Sequence, residues 1–108
     1  MSRHHTGYLD RAAAAASRGD YLSAMQYGLR AAGAHRDQAH LRCDALLLLA
    51  VICAELGDAE AALAYGVGAH LAAVRLRDAE RAGKADAIVT MIVAQHPHLS
   101  EPSTRLLH

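Results

Sequence analysis

"LGDAEAALAYG", residues 56–66, has an earlier counterpart in "RGDYLSAMQYG", residues 18–28. Sliding the chain against itself by 38 residues aligns the two stretches, with the identities Ala12/Ala50, Ala16/Ala54, Gly19/Gly57, Asp20/Asp58, Ala24/Ala62, Tyr27/Tyr65, Gly28/Gly66, Ala31/Ala69 and Ala34/Ala72 among them. In a chain so rich in alanine the Ala pairs carry little information. The Gly-Asp and Tyr-Gly pairs carry more, because each keeps its separation in both copies. A Gly that follows an apolar helix takes the left-handed conformation that ends it, and the Asp behind it accepts from the first free N–H groups of the next helix. Gly-Asp therefore reads as a tight helix-to-helix turn. The small residues after it, Ala24 and Gly28 in one copy and Ala62 and Gly66 in the other, leave room for a neighbouring backbone. The second helix of each pair is expected to pack closely on the first.

Working outward from these turns, hydrophobic periodicity predicts five helices. The first spans about 6–18, with Leu9, Ala12, Ala13 and Ala16 on one stripe, and the second about 21–34, with Leu22, Met25, Leu29 and Ala32 inward. The third spans about 37–56, with Asp37 as its cap; the fourth about 59–81, carrying Leu63, Val67, Leu71 and Val74. Gly83 is expected to break the chain before a fifth helix over about 84–96, with Ile88, Val89, Ile92 and Val93, which Pro97 stops. Residues 1–5 are expected to be a flexible N-terminus, 6–96 one helical domain, and 97–108 a loose tail.

The 108 residues are long enough for one core and too short for two. Hydrophobic residues make up 53%, mostly alanine with leucine, and Phe and Trp are absent, so the core is expected to use small residues at close helix contacts. Eleven Lys and Arg balance eleven Asp and Glu, which argues against a field strong enough to hold nucleic acid or an anionic membrane. Cys43 and Cys53 stand ten residues apart on one predicted helix, about 15 Å along its axis, and cannot pair with each other. With no disulfide framework and no signal-peptide pattern at the N-terminus, a cytoplasmic setting is expected. "ALLLLAVICAEL", 45–56, looks membrane-like but is too short against the about 20 residues of a spanning helix. No membrane insertion is expected.

Antiparallel helix pairs with small residues mid-helix, a Gly-Asp turn and inward alanines after it resemble the tetratricopeptide repeat, over roughly residues 6–96. "LLLLAVICAELGDAEAALAYGVGAH" is the better copy; "YLDRAAAAASRGDYLSAMQYGLRAAGA" keeps the aromatic opening and the turn but has Arg11 where the family favours a large apolar residue. The resemblance implies an all-α solenoid fragment, two repeats plus a C-terminal capping helix. The repeat length is 38 rather than about 34, and two repeats fall below the three usual for independent stability. By the family's pattern the concave face carries Leu9, Ala13, Asp44, Leu47, Val51, Glu55, Val89 and Ile92, with Ser17 and Ala85 beside them. That face is mostly apolar and lacks the Lys, Arg and Asn with which some members grip a terminal carboxylate.

Leu46, Leu47, Leu48 and Leu49 point in four successive directions around one helix, and a helix apolar all round must be covered all round. Either its own chain buries it, or a partner or second copy covers one face. His35 with His40, and His96 with His98 and His108, fall short of a structural zinc set and read as surface histidines; His70 reads as a buried one. No Ser or Cys sits in a nucleophile arrangement, and Gly66-Val67-Gly68 follows no strand, so no phosphate loop is expected. Neither an enzyme nor a cofactor protein is indicated. The expected function is a protein–protein interaction module or small chaperone holding a partner's peptide or helix in an apolar concave groove, with Asp44 and Glu55 as polar rim. The alternative is a homodimer whose apolar face is closed by a second copy. Small repeat chaperones of bacterial secretion systems use an apolar concave face in this way, and the Ala-, Arg- and His-rich composition suits a GC-rich bacterial genome.

Overall fold

The computed structural model describes residues 7–100, and within them the chain is all-α. Five helices follow one another, α1 (Tyr8–Ser17), α2 (Tyr21–Ala34), α3 (Ala39–Glu55), α4 (Ala59–Arg75) and α5 (Ala79–Gln95), and a 3-10 turn at Pro97–Ser100 ends the described chain. The expected flexible stretches at 1–5 and 101–108 lie outside the described residues. Each helix packs on its chain neighbours, and α3 also touches α1 and α5, so α3 is the central element of a repeat-like stack.

Three of the reversals are built alike. Gly19 and Gly57 adopt positive φ, 79° and 84°, immediately before Asp20 and Asp58. The Asp20 N–H then reaches back to the Ala15 carbonyl at 2.9 Å and the Asp58 N–H to that of Cys53 at 2.9 Å, the longer bond of a Schellman cap. The carboxylates of the same two residues accept from Ser23 N–H at 3.3 Å and Ala61 N–H at 3.1 Å. One residue thus closes the helix behind it and opens the helix ahead.

The third such turn lies where none was expected. The fourth helix stops at Arg75, not near 81, and Gly83 is an interior residue of α5 rather than a break. Arg77 takes the left-handed position with φ 55°, the Asp78 N–H bonds the Ala73 carbonyl at 2.9 Å, and the Asp78 carboxylate accepts from Arg81 N–H at 3.0 Å. A second difference concerns α3. It starts at Ala39 with Gln38 at the cap and no side-chain cap bond, so Asp37 does not serve. The Gln38 amide is engaged by His35 Nδ1 at 2.7 Å.

The core is made of small residues, as expected, and Ala24, Gly28, Ala62 and Gly66 lie at the close contacts as read from the sequence, but the leucines expected inward on α2 do not join them. Ala24, Gly28 and Ala31 of α2 and Ala62, Gly66, Ala69 and Ala73 of α4 are buried. Leu22 and Leu29, and Val67, Leu71 and Val74, face outward instead. Three-residue turns bring the helix axes close, and along such a contact line only Ala and Gly fit; the larger side chains are displaced around the helix. The glycine notches also serve a different neighbour from the one predicted. A Cβ on Gly28 would stand 2.8 Å from Leu49 Cδ2, and one on Gly66 would stand 3.0 Å from Val89 Cγ2. Each notch therefore receives a side chain of the following helix, α3 or α5, rather than the backbone of the preceding one.

The stretch just past α5 is ordered by the same core. Leu99, within the expected loose tail, is 6% exposed and packs with Cys53, Ala62 and Ile92. Among the described residues no helix is long and apolar enough to cross a membrane.

Candidate functional site: the α3/α5 groove

The apolar circumference of α3 is almost fully used. Leu49, Ala50, Ile52 and Cys53 are buried against its neighbours, Leu46 and Leu47 lean on the cluster around Cys43, Ala69, Ala73 and Ala85, and Leu48 leans on that around Ala15, Ala24 and Ile52. What remains is the side where α3 meets α5 without a further helix over the seam. There Leu47, Leu48 and Val51 face Ala87 and Ile88 across an open groove of about 460 Å³, with Asp44 and Lys84 at its margin. Val51 is 38% exposed.

The two charged margin residues are in different states. Asp44 is not a free rim carboxylate: Arg81 of α5 grips it through Nε to Oδ1 at 2.8 Å and a second guanidinium nitrogen to Oδ2 at 2.9 Å. The same guanidinium donates to Asp78 Oδ2 at 2.6 Å. This three-residue knot ties the middle of α3 to the first turn of α5 and holds the groove's walls in register. The carboxylates of Asp44, then Asp78, favour the charged guanidinium and push its pKa further up. The Arg81 backbone N–H, then its guanidinium, hold Asp78 below the usual carboxylate range. Lys84 is left with only a 4.0 Å approach to Glu80, both side chains largely exposed. A pair of that kind is worth little, so the groove presents an apolar floor with one available cation.

Of the eight residues expected on the concave face, the structure brings Asp44, Leu47 and Val51 together. Ile92 is corrected: it is 1% exposed and belongs to the core. Val89 is corrected as well, since its methyl fills the notch at Gly66 of α4. Leu9 is half-buried and Ala13 exposed on α1, and Glu55 is exposed one turn beyond Val51; none of the three lines the groove. Placing the start of α5 at 84 instead of 79 caused the two errors on that helix, because it shifted α5 along α3 and rotated the expected face. The residues so missed are Lys84, Ala87 and Ile88.

Elsewhere the chemistry is quiet. Cys43 and Cys53 are buried free thiols, Cys43 Sγ donating to the Ala69 carbonyl at 3.4 Å and Cys53 Sγ meeting Met25 Sδ at 3.9 Å. Burial, reinforced by Asp44 and by Asp58 respectively, pushes both thiol pKa values up, away from reactive thiolate. Among the described residues no three His, Cys, Asp or Glu converge on a point where a metal ion would be held. Compared with protein-family models, curated proteins and solved structures, the chain finds no significant match.

Proposed function

We propose that this chain is a helical-repeat interaction module of tetratricopeptide type that takes an apolar segment of a partner protein into the α3/α5 groove. The observation that carries this reading is the groove's composition, with Leu47, Leu48, Val51, Ala87 and Ile88 as floor and walls and charge confined to the margin. Affinity would come from burying the partner's apolar side chains, at about 25 cal/mol per Å² before ordering costs. An amphipathic helix offering residues at i, i+3 or i+4 and i+7 fits such a trough. Lys84 favours a segment with an acidic residue beside its apolar stripe, because Asp44 is already neutralised by Arg81.

The test is selection from a displayed library of amphipathic peptides, followed by titration against the chain and a groove variant. Val51→Glu with Ala87→Glu is the suitable variant, since both positions are exposed and neither opens a cavity. Selected peptides are expected to carry an apolar stripe with an acid at one edge and to lose at least about tenfold in affinity for the variant, at unchanged helicity. Peptides that bind the variant equally well would remove the groove from the reading.

A further inference from the structure

We propose that the hollow where α3 begins and α4 ends is a binding site for a phosphate monoester. Arg36, Arg42 and Arg75 line it together with Ala39, Ala72 and Leu76. The arginines come from three places: Arg36 from the α2–α3 turn, Arg42 from the first turn of α3, and Arg75 from the last residue of α4. Folding, not a basic run in the sequence, brings Arg75 beside the other two.

No acid shares this hollow. In the α3/α5 groove Lys84 stands with Asp44, and in the hollow at the α4–α5 turn Arg77 stands with Asp78. Here three cations stand with none, in a chain whose eleven basic and eleven acidic residues balance. None of the three makes a side-chain hydrogen bond or ion pair among the described residues, and Asp37, next to Arg36 in the chain, pairs with none of them. Arg81, by contrast, has two carboxylates of its own. The two helix ends at the hollow have opposite dipoles, α3 starting at Ala39 and α4 ending at Arg75, so they largely cancel. The guanidiniums therefore set the sign of the field, and that sign calls for an anion.

The number of arginines narrows the anion. A guanidinium donates through a planar fork that matches carboxylate and phosphate alike, so one arginine does not tell them apart. Three do: a carboxylate offers two oxygens and one charge, whereas a phosphate monoester near neutral pH offers three strong acceptors and nearly two charges. The hollow, about 160 Å³ and open to solvent, has room for such a tetrahedral group. Ala39, Ala72 and Leu76 add an apolar wall, which suits an ester carrying carbon better than the bare ion. All three arginines are exposed, so water and salt screen the attraction and binding is weak, of millimolar order or somewhat tighter. The hollow shares no residue with the α3/α5 groove, so the two readings stand or fall separately.

Calorimetric titration of the full chain with phenyl phosphate, inorganic phosphate and benzoate, in chloride at fixed ionic strength, tests the proposal. Phenyl phosphate is expected to bind, inorganic phosphate at least about threefold more weakly, and benzoate at least about tenfold more weakly. Arg42→Gln and Arg75→Gln should each weaken phenyl phosphate binding at least about fivefold, and Arg42→Lys less, since it keeps the charge and loses the fork. Both positions are exposed, so helical circular dichroism should not change. Arg18→Gln removes an equal charge from the α1–α2 turn and should bind like the wild type. Equal binding of phenyl phosphate and inorganic phosphate supports the anion site and overturns the role of its apolar wall. Benzoate that binds as tightly as phenyl phosphate overturns the choice of phosphate. Absence of phenyl phosphate binding up to about 20 mM overturns the site, and so does binding indifferent to both glutamine variants.

Discussion

Arg77→Gly is expected to make the chain more stable, although it deletes a charged side chain. Arg77 sits at φ 55° in the one turn of its kind that lacks glycine. A side chain in the left-handed region costs about 1–2 kcal/mol, which glycine would relieve. Against that, glycine gives the unfolded chain more freedom, worth about 0.5–1 kcal/mol. The Arg77 side chain is exposed and has no hydrogen bond or ion pair among the described residues, so little else is lost. The net expectation is a gain of about 0.5–1 kcal/mol, and at about 4–8 °C per kcal/mol for a body this size the melting temperature rises by about 2–8 °C. Gly57→Ala is the mirror experiment. An added Cβ there meets nothing within 4 Å, so the loss is backbone strain of about 1–2 kcal/mol, reduced by the about 0.5–1 kcal/mol that a less free unfolded chain returns, which leaves a net cost of about 0.5–1 kcal/mol. Gly57→Val should cost more, its branched side chain being less tolerant of that region. Urea titration and thermal melting followed by helical circular dichroism measure all three at fixed protein concentration. An Arg77→Gly chain that is no more stable than the wild type, with Gly57→Ala neutral, would refute the shared-turn reading.

Two further outcomes follow from the packing and the ion knot. Gly83→Ala should stabilise by about 0.5–1 kcal/mol, because Gly83 is helical with open space around it. Gly28→Ala should destabilise by about 1 kcal/mol net, since the methyl would strike fully buried Leu49 and overpacking outweighs helix propensity; equal melting of the two variants would contradict the notch. For the knot, Asp78 is held below its unfolded value, so its contribution is present above the unfolded carboxylate pKa of about 4 and is lost as pH falls through the lower folded one. Arg81→Gln keeps the backbone N–H that lowers Asp78 most and removes only the guanidinium, so it should make the acid limb of the stability–pH curve below about pH 4 shallower in part, measured by urea midpoints from pH 7 to 2, and an unaltered acid limb would show that the guanidinium does not hold Asp78 there.

Two turns were legible because each demands glycine: Gly19 and Gly57 announce positive φ, and the Asp behind each announces a cap. The third was hidden because an arginine occupies that position. Its signal lay in Leu76-Arg77-Asp78-Ala79-Glu80, which repeats Leu56-Gly57-Asp58-Ala59-Glu60 with only the glycine exchanged. Missing that turn displaced α5, and with it Val89, Ile92 and the groove's second wall. The first wall was readable, because no number of neighbours covers four consecutive leucines evenly and Leu47 and Val51 lie on one side. The leucines of α2 were placed inward for a different reason. Hydrophobicity ranks leucine and valine above alanine, whereas the distance between closely packed axes ranks them the other way, and here distance decides. Nor does any local pattern in Asp44 reveal that Arg81, 37 residues away, will neutralise it.

The alanine-lined contacts also set how the chain answers to mutation as a whole. In an ordinary core the truncation of large side chains does the damage, and small positions tolerate change. Here few large side chains are fully buried, Leu49, Ile52 and Ile92 among them, while Ala12, Ala15, Ala24, Ala31, Ala45, Ala50, Ala62, Ala69, Ala73 and Ala85 have no exposed surface. A saturation scan would therefore look inverted: residues that chemistry regards as featureless would refuse almost every replacement, because each added methylene pushes two backbones apart. Leucines and valines on the outer helices would accept polar substitutes with little loss of fold. The chain's sequence is thus free to drift where its side chains are large and is constrained where they are least conspicuous.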